Sequence, residues 1–181
     1  MTSEDPPLWV VPFPTLLGWM AAVGLGKTLW QLTFGHRSRQ DAMARLDPGL
    51  ARQAREADRN PGLVARLRAY ASGSPDDFLD LPVHLGHDLT EFHRRVLSCC
   101  RRIPLGTTLS YGELAAQAGA PGAGRAVGNC MAANQIPLVI PCHRVVGAGG
   151  SLRGYSGPGG LRMKRRLLKL EARMVGQRVL V

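Results

Sequence analysis

The chain has 181 residues, 45% hydrophobic and 20% charged, which is enough to bury a core in one or two small domains. No apolar stretch reaches the roughly 18 residues of a membrane span, and residues 1–7 are acidic and proline-bearing, the opposite of a secretory leader, so a cytoplasmic protein is expected. The formal charge of +10 belongs to one half only: residues 1–90 carry nine Lys/Arg against ten Asp/Glu, whereas residues 91–181 carry fourteen against Glu91, Glu113 and Glu171.

Residues 13–35 contain two apolar runs, Leu16–Val23 and Leu29–Phe34, joined by Gly24-Leu25-Gly26-Lys27, which predicts a β-hairpin. Residues 38–71 are rich in Ala, Arg and Leu and read as helices broken around Asn60-Pro61-Gly62. The stretch 72–83, SGSPDDFLDLPV, is loop chemistry leading to a short extended piece, the best candidate for a domain boundary.

In the basic half, Thr90 is placed to cap a helix over 89–104 that presents Phe92, Val96, Leu97 and Cys100 on one face and stops before Pro104. Ser110 with Glu113 three positions on is a capping box, and the helix it opens stops at Gly119. A second helical segment, 122–134, completes a helix-turn-helix candidate. Gly122, Ala123, Gly124, Ala126, Gly128, Ala132 and Ala133 make it unusually small-sided, although each glycine weakens a helix by up to about 1 kcal/mol. Either it packs tightly against another helix, or its surface is kept low for a ligand such as a DNA groove, with Arg125 its one long cation.

The cysteines are Cys99, Cys100, Cys130 and Cys142, without a C-x-x-C pair, so reduced thiols without metal are expected. Cys142 follows IPLVIP (136–141), which reads as a buried strand or extended segment, and precedes His143 and Arg144. A thiol is nucleophilic only as thiolate and needs a base or a positive environment, and both lie next to it. In an extended chain neighbouring side chains point to opposite faces, so His143 reaches Cys142 only through a turn or a bridging water. From these residues alone a buried structural cysteine and a reactive one both stay open. Loop 147–160 then has seven glycines in fourteen residues, with Tyr155 and Ser156 offering hydroxyls and an aromatic face. Residues 161–174 form an amphipathic basic helix whose lone acid is Glu171, a surface ion-pair partner if nothing else claims it.

Together, IPLGTTLSYGELAAQAG, GRAVGNCMAANQIPLVIPCHRVV, GYSGPGGL and KRRLLKLE resemble the O6-alkylguanine-DNA alkyltransferases, the methylated-DNA–protein-cysteine methyltransferases, strongly over 89–173. The resemblance implies an α+β protein. Residues 1–85 would be a ribonuclease-H-like α/β domain with a small antiparallel sheet. Residues 86–181 would be a mostly helical DNA-binding and alkyl-acceptor domain holding the helix-turn-helix. It implies single-turnover, irreversible transfer of an alkyl group from O6-alkylguanine, also O4-alkylthymine, to Cys142 after the damaged base is flipped out of the duplex. His143 would take the thiol proton through water, Glu171 would orient His143, and Tyr111 would donate a proton to the base. Asn134, Val145, Tyr155, Ser156 and Met131 would bind the substrate, while Arg125, Ala123, Ala126, Gly128 and Arg144 would face DNA. The implied partner is the minor groove of double-stranded DNA, met by a monomer without membrane, cofactor or metal. The cysteine and histidine set that binds zinc in the N-terminal domain of some relatives is absent, since residues 1–98 hold no cysteine. Gln135 stands where the family usually has proline, which loosens that turn.

Overall fold

The computed structural model describes residues 7–177; the acidic, proline-bearing start at 1–6 lies outside them. The fold is mixed α+β and divides into two compact units. One runs to Ser72 and includes Asp80–His84; the other comprises Gly73–Leu79 and the chain from Leu85 on. The stretch 72–83 is therefore shared between the units instead of acting as one linker. Phe78 explains the sharing: it is fully buried, and its carbonyl and that of Leu79 accept from Arg101 Nη2 at 2.8 and 3.3 Å.

In the first unit, strands β1 (Leu8–Thr15), β2 (Gly18–Leu25), β3 (Thr28–His36) and β4 (Arg55–Glu56) form a sheet in the order β3-β2-β1-β4. The hairpin predicted over 13–35 is β2–β3, with its turn at Gly26-Lys27. β2 is an inner strand and Met20, Ala21, Ala22 and Val23 are all fully buried, so its apolar run is continuous and lacks a period of two. Its other partner, β1, escapes the sequence reading because Pro12 and Pro14 argue against a strand. Both prolines pair in register with β2 (Pro12↔Ala21, Pro14↔Trp19). β4 pairs only with Trp9 and Val10, so the prolines interrupt no ladder on that side.

Helices α1 (Arg39–Ala44), α2 (Pro48–Gln53) and α3 (Pro61–Ala71) are capped by Ser38, Asp47 and Asn60. Pro61 thus starts α3 at a position where its missing N–H costs nothing. Val10, Ala21 and Val23 of the sheet pack with Ala42 of α1 and Leu46 after it.

The second unit contains α4 (Glu91–Arg101), β5 (Leu109–Ser110), α5 (Tyr111–Gln117), α6 (Gly124–Ala132), β6 (Val145–Val146) and α7 (Gly160–Met174). The capping box at Ser110 is formed, with the Glu113 N–H donating to Ser110 Oγ at 3.1 Å and the carboxylate accepting from the Ser110 N–H at 2.6 Å. α5 and α6 pack as the predicted helix-turn-helix, with the left-handed Gly119 and Gly122 in the turn.

Gly24 lies where the β2–β3 register shifts, and a methyl group there would stand 2.3 Å from Trp9 Cζ2 and 2.5 Å from the Thr28 carbonyl oxygen. Gly24→Ala is expected to cost about 1–3 kcal/mol through overpacking, read as a lower urea midpoint at unchanged slope; an unaltered midpoint would show that Trp9 can yield.

Candidate functional site

The run 136–141 is a compact turn, not the strand its apolarity predicts. Pro137 and Pro141 lack the N–H that a ladder needs, and Leu138 adopts φ +73°. The Ile140 N–H donates back to the Ile136 carbonyl at 2.9 Å. Asn134 clamps the turn from the end of α6: its Nδ2 donates to the Ile140 carbonyl at 2.8 Å, and its Oδ1 accepts from the Ile136 N–H at 3.0 Å. Cys142–Arg144 then form a single 3₁₀ turn that runs into β6, which pairs in parallel with β5. This turn, not an extended chain, sets the directions of the thiol, the imidazole and the guanidinium.

His143 and Arg144 converge on Glu171 of α7. Glu171 and His143 are fully buried and Arg144 is 2% exposed. Glu171 Oε1 lies 2.8 Å from His143 Nε2, while Arg144 donates from Nε to Oε2 at 2.9 Å and from Nη2 to Oε1 at 2.8 Å. Arg144 Nη1 also donates to the Ile103 carbonyl. The expectation that Arg144 faces DNA is therefore corrected: a buried carboxylate needs a matched fork of donors, and Arg144 is that fork. Burial alone raises the Glu171 carboxyl, but His143 and Arg144 outweigh it and hold the group well below the usual carboxylate range. Facing a carboxylate, Nε2 of His143 carries its hydrogen. In the neutral ring Nδ1 is then an acceptor, and this buried atom has no hydrogen-bond partner among the described residues.

Burial pushes the Cys142 thiol up, so at neutral pH it rests protonated. Four groups pull the other way: the Asn134 side chain, the Lys164 charge and the backbone N–H groups of Cys142 and His143. Lys164 opens the KRRLLKLE motif, but the sequence alone assigns it no role. It is fully buried on α7, and its ammonium donates to the carbonyls of Val145 at 2.6 Å and Arg153 at 3.0 Å, lying 5.8 Å from the Tyr111 ring centre. Burial lowers its pKa, and Cys142 acts in the opposite sense. Its signal was a cation seven residues before Glu171, on the stripe of Leu167 and Leu168.

Cys142 lines a cavity of about 750 Å³. Tyr111, Met131 and Tyr155 wall it, with Gly124, Arg125 and Gly128 of α6 on one side and loop residues 147–156, including Ser156, on the other. Tyr111 Oη donates towards the carbonyls of Arg153 and Gly154 at 3.2 and 3.0 Å, and burial raises its pKa. Tyr155 Oη is buried and has no hydrogen-bond partner among the described residues. Its ring folds over Gly157, where a Cβ would come within 2.6 Å of the ring. Ser156 Oγ donates weakly to the Ala132 carbonyl at 3.4 Å.

Asn134, His143, Val145 and Glu171 do not line the cavity but stand behind it. Val145 is buried, and its carbonyl accepts from Lys164 at 2.6 Å. The two glycines of α6 are not demanded by close packing: a Cβ at Gly128 would come no closer than 4.0 Å to Tyr111, and one at Gly124 no closer than 3.7 Å to any neighbour. Arg125 is exposed, while Ala123, Ala126 and Gly128 are half-buried.

Residues 91–173 match the family model described as the DNA-binding domain of 6-O-methylguanine DNA methyltransferase. Over 112 residues the chain is 50% identical to the methylated-DNA–protein-cysteine methyltransferase of Mycolicibacterium paratuberculosis, covering 62% of this chain and 65% of that protein. Over 113 residues it is 44% identical to the Shigella flexneri protein of the same name, covering 62% and 64%. These matches thus span just under two thirds of the curated relatives' length. The solved structure of Mycobacterium tuberculosis O6-methylguanine methyltransferase covers more: 34% identity, TM-score 0.75, 92% of this chain and 94% of that one. A structure of the M. tuberculosis protein in complex with DNA gives 36% identity and TM-score 0.72 over 91% and 93%. The fold is that of these solved structures. The chain belongs to the methylated-DNA–protein-cysteine methyltransferase family.

Replacing Lys164 by Met removes the positive charge that favours the Cys142 thiolate. The pH midpoint for iodoacetamide alkylation of Cys142, followed by mass spectrometry of its peptide, is expected to move up; an unmoved midpoint would show that Asn134 and the backbone donors suffice. Because the Glu171 pKa is depressed on folding, its contribution to stability is complete above the unfolded value of roughly 4.3 and is lost as pH falls towards the folded value. Glu171→Gln strands the Arg144 charge and is expected to cost about 3–5 kcal/mol near neutrality. Urea titrations from pH 7 to pH 3 should show the gap between the two proteins narrowing with acid.

Proposed function

We propose that this protein repairs DNA by transferring an alkyl group from O6 of guanine, and from O4 of thymine, to Cys142, once per molecule. The observation that carries the reading is a nucleophile, base and orienter in series: a thiol lining a cavity, a histidine next to it in the turn, and a buried carboxylate 2.8 Å from that histidine. His143 takes the thiol proton on Nδ1 through a water, and the imidazolium so formed faces Glu171. The thiolate, stabilised by Lys164 and Asn134, attacks the alkyl carbon. The S–C bond forms as the C–O6 bond breaks, and the electron pair stays on the guanine. Tyr111 gives up its hydrogen bonds to loop carbonyls and supplies the proton that neutralises the departing base.

A base paired inside a duplex cannot present O6 to a recessed thiol, so the nucleotide is flipped into the cavity. In this reading α6 lies in the minor groove with Ala123, Ala126 and Gly128 against the backbone, and Arg125 enters the stack in place of the base. Met131, Tyr155 and Ser156 hold the flipped base. The protein acts as a monomer in the cytoplasm. The thioether product has no leaving group that water can displace readily, which makes the transfer irreversible.

An oligonucleotide carrying O6-methylguanine should add one methyl group to the Cys142 peptide and to no other, at a stoichiometry of one. Cys142→Ala should bind the same DNA and gain no mass. A protein unchanged in mass after incubation sinks the proposal, and transfer by Cys142→Ala reassigns the acceptor.

A further inference from the structure

The charges around the cavity have a consequence for which alkyl groups are removed. Among its lining residues are two arginines, Arg125 and Arg153, and no Asp or Glu. The nearby carboxylate, Glu171, is fully buried and already bonded to His143 and Arg144. Lys164 adds a buried ammonium held only by carbonyls among its hydrogen bonds. The potential in the cavity is therefore positive.

Arg153 differs from Arg125 in placement. Arg125 is on α6 and Arg153 is in the loop that also brings Tyr155 to the cavity, and both side chains are exposed. Its backbone is fixed, since its carbonyl accepts from both Tyr111 Oη and Lys164 Nζ. Its side chain runs beside Gly147, where a Cβ would lie 3.5 Å from Arg153 Cδ. Its guanidinium makes no hydrogen bond or ion pair among the described residues. A backbone held by two hydrogen bonds, carrying an exposed, uncommitted, planar fork of donors at the rim of a cavity with no acidic lining residue, suits a carboxylate ligand.

We propose that Arg153 is a specificity residue that favours O6 adducts ending in a carboxylate, such as carboxymethyl, over neutral adducts of the same size. This rests on the transfer reaction proposed above. The thiolate attacks the methylene carbon, the S–C bond forms, and the C–O6 bond breaks with its electron pair on O6. The base takes the proton, and Cys142 becomes S-carboxymethylcysteine. The guanidinium pairs with the carboxylate throughout and is not consumed.

The test compares single-turnover transfer from oligonucleotides carrying O6-carboxymethylguanine and its neutral isostere O6-carbamoylmethylguanine, with O6-methylguanine as reference. The ratio of the first two rates is taken within each protein, so that general changes in DNA affinity cancel. The native protein should prefer the anionic adduct by roughly three- to tenfold, the range of a partly exposed charge pair. Arg153→Gln should bring the ratio close to one, and Arg153→Lys should retain part of it. Added salt should shrink the native preference. An equal ratio in native and Arg153→Gln proteins overturns the proposal, as does an equal slowing of all three substrates, which would make Arg153 a phosphate contact. Failure to transfer methyl at all would instead overturn the function on which it rests.

Discussion

Glu171 is a carboxylate with no exposed surface, and the second unit is built to make that tolerable. A charge taken out of water costs several kcal/mol unless donors surround it. Here the donors come from two consecutive residues of one short turn, His143 and Arg144. The same ion thus pins α7 to the Cys142–Arg144 turn and fixes the face of the imidazole. Structure and chemistry share this atom group, so a change to it cannot affect one alone.

Around this anchor the site is layered. Asn134, Lys164 and Val145 form a rear tier whose hydrogen bonds go to backbone carbonyls and to the thiol. In front, Tyr111 donates to the loop carbonyls of Arg153 and Gly154, and the Arg153 carbonyl also accepts from Lys164. The Lys164 ammonium therefore ties β6 to the loop while lowering the energy of a thiolate beside it. The smooth flank of α6 has no comparable internal duty, since no neighbour presses on Gly124 or Gly128. Its cost in helix stability is unexplained by packing and fits an external surface.

Much of this was legible in the sequence where local chemistry decides the outcome. Thr90, Ser110 with Glu113 and Gly119 fix helix ends through their own hydrogen bonds and φ angles, and they appear where predicted, whereas Gly122, expected inside the second helix, lies in the turn ahead of α6. The hairpin β2–β3 was legible for the same reason. Three features were not. β1 hides behind Pro12 and Pro14, because only the sheet order reveals which edge is unpaired. The 136–141 turn hides behind its apolarity, because its backbone bonds are satisfied by the side chain of Asn134. The burial of Arg144 and Lys164 depends on how α7 docks, a long-range fact that a charge pattern on one helix does not contain. The resemblance supplied roles for Cys142, His143 and Glu171, and geometry then moved Arg144 from the surface to the interior.

The sharing of residues 73–84 between the two units bears on how the chain can be dissected. Arg101 at the end of α4 draws its acceptors from Phe78 and Leu79, and Phe78 is itself fully buried. A fragment begun just ahead of α4 would lose the two carbonyls to which Arg101 Nη2 donates. An isolated second unit must instead keep Gly73–Leu79, although these residues precede the short segment that belongs to the sheet-bearing half. The compact unit that holds the cavity therefore takes in residues ahead of those its family signature covers.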